Sequence, residues 1–255
     1  MIWLLTAMKC EGEKILGILD GDMTHIVTGI GPGNAAFALR KLIGSGRCTP
    51  FDKILNVGVC GAGDDVPAGK LFFIDKITDM VSGRDYYPDL ALFPSDIEES
   101  QIYTSDDIVR DPEPGKLYDE EAAAIFEAGQ KYFSPDSMVF MKVVSDHGDD
   151  LPTKARVEEL ISEKEDIIRS VALILLARSE EQKEQAGILD LKEDLCLTEA
   201  MNNDMKNLLR YAKAKGSLDL VESYMEDLRR QGKVPVKNKK EGAYHAGKIK
   251  DILGV

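Results

Sequence analysis

Short apolar runs alternate with amphipathic stretches along the first 180 residues of the chain. Runs rich in β-branched residues predict strands at 2–6, 25–28, 54–59, 70–78, 101–104 and 137–144. Apolar positions at helical spacing predict helices at 13–19, 35–43, 119–132 and 154–178. This alternation predicts an α/β fold with a central mixed sheet and helices on both of its faces.

The predicted core ends near residue 180, where the polar run 180–185 is typical of a linker. We therefore expect an α/β domain over 1–180 and a helical extension over 181–255. Gly216 and Ser217 separate two predicted helices in this extension, and both helices carry apolar residues at helical spacing.

Two short helices are marginal in isolation, so we expect those at 201–215 and 218–230 to dock on the first domain or on a second copy of the chain, with a separate protein as the alternative partner. The segment that follows, 233–250, is basic. We expect it to be a solvated or partly disordered tail, with an anion-binding patch as the alternative.

Composition excludes several classes of function. The formal net charge of −13 argues against general nucleic-acid binding, and no apolar run approaches the length of a membrane span. The apolar start of the chain is too short for a signal sequence and lacks its basic region. The four cysteines and three histidines show no metal-ligand spacing, so we expect reduced thiols, a cytoplasmic protein and no metal.

Three glycines lie at the end of the predicted strand 54–59 or just after it: Gly58, Gly61 and Gly63. Glycine permits positive φ and lets a ligand approach the backbone closely. The next elements are a turn and a second strand, which excludes a P-loop and a dinucleotide-binding turn. The earlier glycine turn has Asn34 at its third glycine position, so we predict no nicotinamide or flavin site there.

Five stretches, in order, resemble the purine nucleoside phosphorylase and nucleosidase superfamily, and in particular its methylthioadenosine/S-adenosylhomocysteine nucleosidases. They are Ala7–Glu11, Thr28–Ala36, Asn56–Gly63 with the following Pro67–Leu71, Tyr118–Ile125 and Val143–Asp146. They span about the first 150 residues of the chain. The resemblance implies a phosphorylase/hydrolase-like fold and no metal or organic cofactor.

The resemblance also implies roles for three carboxylates. Glu11 matches the glutamate that activates water, and Glu121 matches the glutamate that accepts the ribose diol. Asp146 matches the aspartate that acts at the purine N7 as a general acid or hydrogen-bond partner. Cleavage of an N-glycosidic bond needs such groups, because the base must leave, a nucleophile must attack and positive charge develops on the sugar.

Further substrate-binding positions follow from the same resemblance: Val59, Cys60, Gly61, Ile108, Val109, Glu120 and Ser145. Two of them depart from the family pattern, since nucleosidases usually carry a hydroxyl at Val59 and a methionine at Glu120. The phosphorylases carry an arginine at Asn56 and a serine at Val59 to hold phosphate.

We therefore expect hydrolysis of a purine nucleoside to free base and sugar, by an enzyme that forms a homodimer. A non-catalytic nucleoside- or nucleotide-binding module and a phosphate-dependent phosphorylase are the alternatives. The expected partner is a small purine nucleoside, and neither a membrane nor a nucleic acid is expected.

Overall fold

The structure, a computed structural model, describes residues 1–15, 21–93, 97–148, 151–187 and 191–254. The chain divides into two compact units, Met1–Glu181 and Gln182–Val255. Most of the helix predicted at 13–19 lies outside the described residues. No described helix combines the length and the apolar composition needed to cross a bilayer.

The described strands of the first unit form one eight-stranded sheet. They are β1 (Ile2–Thr6), β2 (Met23–Val27), β3 (Lys53–Ala62), β4 (Leu71–Asp79), β5 (Asp85–Tyr86), β6 (Glu99–Thr104), β7 (Leu117–Asp119) and β8 (Met138–Asp146). Strand β3 lies at its centre, parallel to β1 and β8 and antiparallel to β7. Strand β4 runs antiparallel to β8, so the sheet is mixed, as predicted.

Helices cover both faces of this sheet. They are α1 (Pro32–Gly44), α2 (Ala122–Gly129), α3 (Lys154–Ser162) and α4 (Glu165–Gly187). One buried cluster joins α1 and α2 to the sheet, and a second joins α3 and α4. Alternate residues of β8 show the division, because Phe140 belongs to the first cluster and Met141 to the second. The predicted fold class is confirmed.

Three predicted element boundaries are wrong. The helix predicted at 119–132 begins only at Ala122, because Asp119 ends β7 and its carboxylate accepts the Ala122 N–H at 3.0 Å. The helix predicted at 154–178 is two helices, α3 and α4. The predicted linker 180–185 lies inside α4, since its Glu, Gln and Lys residues are good helix formers as well as polar.

The second unit contains three helices: α5 (Glu199–Ala214), α6 (Leu218–Arg230) and α7 (Lys239–Leu253). They share a buried cluster with the segment around Leu191 and Leu195. The prediction that residues 233–250 form a solvated or partly disordered tail is therefore wrong, because α7 occupies most of this segment. Asn238 caps α7 by accepting the N–H groups of residues 240 and 241, and Ile249 is fully buried.

Helix α7 also corrects the expectation that α5 and α6 need an outside partner for their apolar faces. The two helices pack with α7 inside their own unit. This contact is close, because a Cβ atom added to Gly242 of α7 would lie 1.8 Å from the carbonyl oxygen of Leu195. The unit therefore has a core of its own.

Candidate active site

A cavity of about 310 Å³ opens at the carboxyl ends of the parallel strands β1, β3 and β8. Residues that follow β6 and β7, which run in the opposite direction, complete its wall. All ten site residues predicted from the sequence line it: Glu11, Val59, Cys60, Gly61, Ile108, Val109, Glu120, Glu121, Ser145 and Asp146. Its wall also includes residues that the sequence analysis missed: Ala7, Met8, Ile30, Asp107, Tyr118, Asp119, Leu151 and Pro152. Ligands of α/β sheets bind at this end of the strands.

Glu11 is buried at the end of a short 3₁₀ turn, Lys9–Glu11, that follows β1. Its Oε2 accepts the N–H of Met8 at 2.8 Å, and its Oε1 accepts the N–H of Val59 at 3.1 Å. Burial raises the pKa of Glu11 above its ordinary value, while these hydrogen bonds and the charge of Lys142 oppose the rise. The carboxylate is fixed in direction and made more basic, which suits a group that accepts a proton from water.

A hydrogen-bond relay supports the turn that carries Glu11. The Thr6 hydroxyl donates to the carbonyl of Met8 at 2.7 Å, so its oxygen must accept from His25 Nε2, which lies 2.8 Å away. The His25 ring also lies against Gly12, where an added Cβ would be 2.3 Å from Nε2. His25 is outside the set of residues predicted from the sequence.

The glycines of β3 have a different purpose from the one predicted. Gly58 and Gly61 lie inside the strand, and neither they nor Gly63 has positive φ. A Cβ at Gly58 would lie 3.0 Å from Glu11 Oε1, and one at Gly61 would lie 3.5 Å from Asp146 Oδ1. The missing side chain at Gly58 therefore leaves room for the Glu11 carboxylate, whereas a Cβ at Gly61 would make only an ordinary contact with Asp146.

Glu121 is held by the glycine turn that precedes α1. The Gly31 N–H donates to Glu121 Oε1 at 2.8 Å, and Gly31 has a φ of 94°, which favours glycine. Burial raises the pKa of Glu121 to about 7, against the lowering effect of Lys142. The carboxyl therefore changes its charge near neutral pH.

Lys142 lies beneath the cavity and was missed by the sequence analysis. Its Nζ pairs with Asp119 at 2.8 Å, and both side chains are buried. Burial opposes its charge, but Asp119, Glu121 and Glu11 outweigh that effect and raise the pKa of Lys142. A lysine inside an apolar strand is the pattern that could have revealed it, because a buried cation requires paired carboxylates.

Asp146 ends β8 with both carboxylate oxygens engaged. Oδ2 accepts the Ser145 hydroxyl at 2.7 Å and Oδ1 accepts the Gly148 N–H at 3.0 Å. Gly148 has a φ of 89° and no room for a Cβ, since one would lie 2.6 Å from the carbonyl oxygen of Arg110. The loop therefore holds Asp146 at the cavity edge. Nearby, burial raises the pKa of the Cys60 thiol, which keeps it neutral.

The cavity wall is strongly acidic. Among the described lining residues there is no lysine or arginine. Six carboxyl groups line the cavity: Glu11, Asp107, Asp119, Glu120, Glu121 and Asp146. Apolar side chains from Met8, Ile30, Ile108 and Val109 complete the wall. Such a cavity suits a neutral or positively charged ligand with a flat apolar part and several hydrogen-bond donors.

Comparison with known proteins shows the fold. No protein-family profile and no curated protein sequence matches the chain. Many solved structures do. A protein from Borrelia burgdorferi B31, assigned as a 5′-methylthioadenosine/S-adenosylhomocysteine nucleosidase and bound to adenine, is 18% identical with a TM-score of 0.53; the match covers 70% of this chain and 99% of that one.

Two further structures agree with this match. The corresponding nucleosidase from Colwellia psychrerythraea 34H, in complex with adenine, is 16% identical with a TM-score of 0.51, over 69% of this chain and 94% of that one. The Helicobacter pylori nucleosidase is 16% identical with a TM-score of 0.50, and the match covers 71% of this chain and 97% of that one. The chain thus contains the fold of these nucleosidases.

Proposed function

We propose that the protein hydrolyses the N-glycosidic bond of a purine nucleoside to the free base and the sugar. The observation that carries this proposal is the convergence of Glu11, Glu121 and Asp146 on one cavity, each on a different segment and each held by backbone N–H groups. The fold is also that of nucleosidases solved with adenine.

Each of the three carboxyl groups has a separate role in the proposed reaction. Glu11 accepts a proton from water as the water oxygen attacks C1′, and the electron pair of the C1′–N9 bond passes to the purine. Asp146 donates a proton or a hydrogen bond at N7, so that the base leaves without a full negative charge. Glu121 accepts the ribose hydroxyls, and its charge also favours the positive sugar of the transition state.

Water is favoured over phosphate as the nucleophile by the electrostatics of the wall. A phosphate site needs fixed cations or convergent N–H donors. The side chain at 56 is an asparagine that donates to the Leu5 carbonyl, and the Val59 N–H is already bonded to Glu11. A phosphate near Glu11 would also meet its negative charge.

The test is to incubate the full chain with 5′-methylthioadenosine, S-adenosylhomocysteine, adenosine and inosine, each with and without phosphate, and to measure free base. Cleavage that does not depend on phosphate is expected. Cleavage only with phosphate would refute hydrolysis in favour of phosphorolysis.

A non-catalytic nucleoside-binding module is the second candidate. It is favoured by Val59, which offers no hydroxyl to the cavity, and by Glu11, whose two oxygens are both engaged by backbone N–H groups. Calorimetry that shows nucleoside binding without any release of base would support this candidate over the enzyme.

A further inference from the structure

Glu120 and Asp107 line the cavity, although the proposed reaction needs neither of them. Within the described part of the chain, neither carboxylate makes a hydrogen bond or an ion pair through its side chain. Asp119 differs, since it is satisfied by Lys142 at 2.8 Å, by the Thr104 hydroxyl at 2.7 Å and by the N–H of Ala122.

The position of Glu120 makes its negative charge unfavourable in the empty cavity. Partial burial raises its pKa, and the charges of Asp119 and Asp107 raise it further. A positive group bound beside Glu120 would remove that repulsion and supply the missing partner. No described group of three or more acidic, histidine or cysteine side chains is arranged to hold a metal ion.

We propose that Glu120, with Asp107, makes the cavity select purine nucleosides that carry a positive charge. This inference rests on the proposed function, because it assumes that the cavity holds a nucleoside. The positive charge can lie on the base or on the sugar.

A charge on the base also fits the reaction. When the C1′–N9 bond of a cationic purine breaks, its electron pair neutralises the base, so the base leaves as a neutral molecule. Water still adds its oxygen to C1′ and gives its proton to Glu11. The reaction then depends less on proton donation by Asp146. A charge on the sugar would instead act on binding alone.

The experiment compares matched nucleosides on the full chain by calorimetry and by release of base. 1-Methyladenosine and N6-methyladenosine are isomers, and at neutral pH only the first is cationic. In a second pair, 5′-amino-5′-deoxyadenosine carries a positive charge on the sugar at neutral pH and 5′-deoxyadenosine is neutral. We expect the cationic member of one pair to bind roughly two- to ten-fold more tightly, because an ion pair to a partly exposed carboxylate contributes about 1 kcal/mol or less.

Two variants assign the effect to its residue. Glu120→Gln keeps the shape of the side chain and should abolish the preference for the cation. Asp106→Asn removes an exposed charge next to Asp107 and outside the cavity wall, so it should keep the preference. The preferred pair shows whether the charge lies on the base or on the sugar.

The outcomes separate the two hypotheses. Binding or cleavage of neutral nucleosides with no preference for either cationic ligand would overturn this inference and leave the proposed function intact. A preference that survives in Glu120→Gln, or disappears equally in Asp106→Asn, would also overturn it. Failure of every nucleoside to bind would overturn the proposed function itself.

Discussion

Replacement of Glu121 by glutamine should stabilise the protein at high pH while it removes the ribose-binding carboxylate. Glutamine keeps an oxygen that can accept the Gly31 N–H, at 2.8 Å in the native chain, but it cannot ionise. Wild-type Glu121 must ionise in a buried position beside Asp119, which is unfavourable. The variant avoids that unfavourable ionisation.

The magnitude follows from the pKa. In the folded protein the pKa of Glu121 is raised from 4.5 to about 7, which corresponds to about 3 kcal/mol. Because this pKa is raised, the stability that the neutral Glu121 carboxyl gives the folded protein is present at low pH and is lost as pH rises through about 7. Most of this loss falls between pH 5 and pH 8. In a domain of this size it amounts to roughly 5–10 °C in melting temperature.

The assay is a thermal melt of wild type and Glu121→Gln at pH 5 and pH 8, with the exposed Glu99→Gln as the matched control. The difference in melting temperature between Glu121→Gln and wild type should increase by roughly 5–10 °C from pH 5 to pH 8. The corresponding difference for Glu99→Gln should not change. An advantage that is equal at both pH values, or a variant that is less stable at pH 8, would refute the reasoning.

Four further predictions test other parts of the site. Asp146→Asn should lower kcat/KM roughly 100- to 10,000-fold in the release of base with an unchanged melting temperature, the usual range for loss of a general acid. Gly58→Ala should lower kcat more than it raises KM, because its Cβ would lie 3.0 Å from Glu11 Oε1. His25→Ala should lower kcat and shift its pH profile, whereas His25→Gln, which keeps an N–H donor, should restore much of the rate. Phe37 is 67% exposed on α1, and light scattering should show a dimer that Phe37→Glu weakens.

The fold and the lining of the site could be predicted largely from the sequence, the fold from local patterns and the site residues from motifs that resemble those of a known superfamily. Apolar runs predicted most of the strands, and the resemblance to the nucleosidase superfamily supplied Glu11, Glu121 and Asp146. Glu11 and Asp146 lie at the ends of the parallel strands β1 and β8, whereas Glu121 follows β7, which was not predicted. Parallel strands bring their carboxyl ends together, so residues far apart in the chain meet there. The roles of these residues stay predictions until activity is measured.

What could not be predicted depends on contacts between distant segments. His25 reaches the turn of Glu11 through Thr6, and no spacing in the sequence links the two. The purpose of Gly58 is visible only where its missing side chain faces Glu11. Helix α7 was missed because its lysines resemble a solvated tail, whereas Gly242 and Ile249 pack on the rest of the second unit.

Lys142 has a consequence for how this site can change through evolution. One cation balances three carboxylates from two segments of the chain, Glu11 on one and Asp119 with Glu121 on the other. Loss of any one of them alters the electrostatic environment of the other two, so the effects of their substitutions should not add. A lineage that abandons the chemistry should therefore lose the lysine and its acids together, and a relative that keeps Lys142 should keep the acids as well.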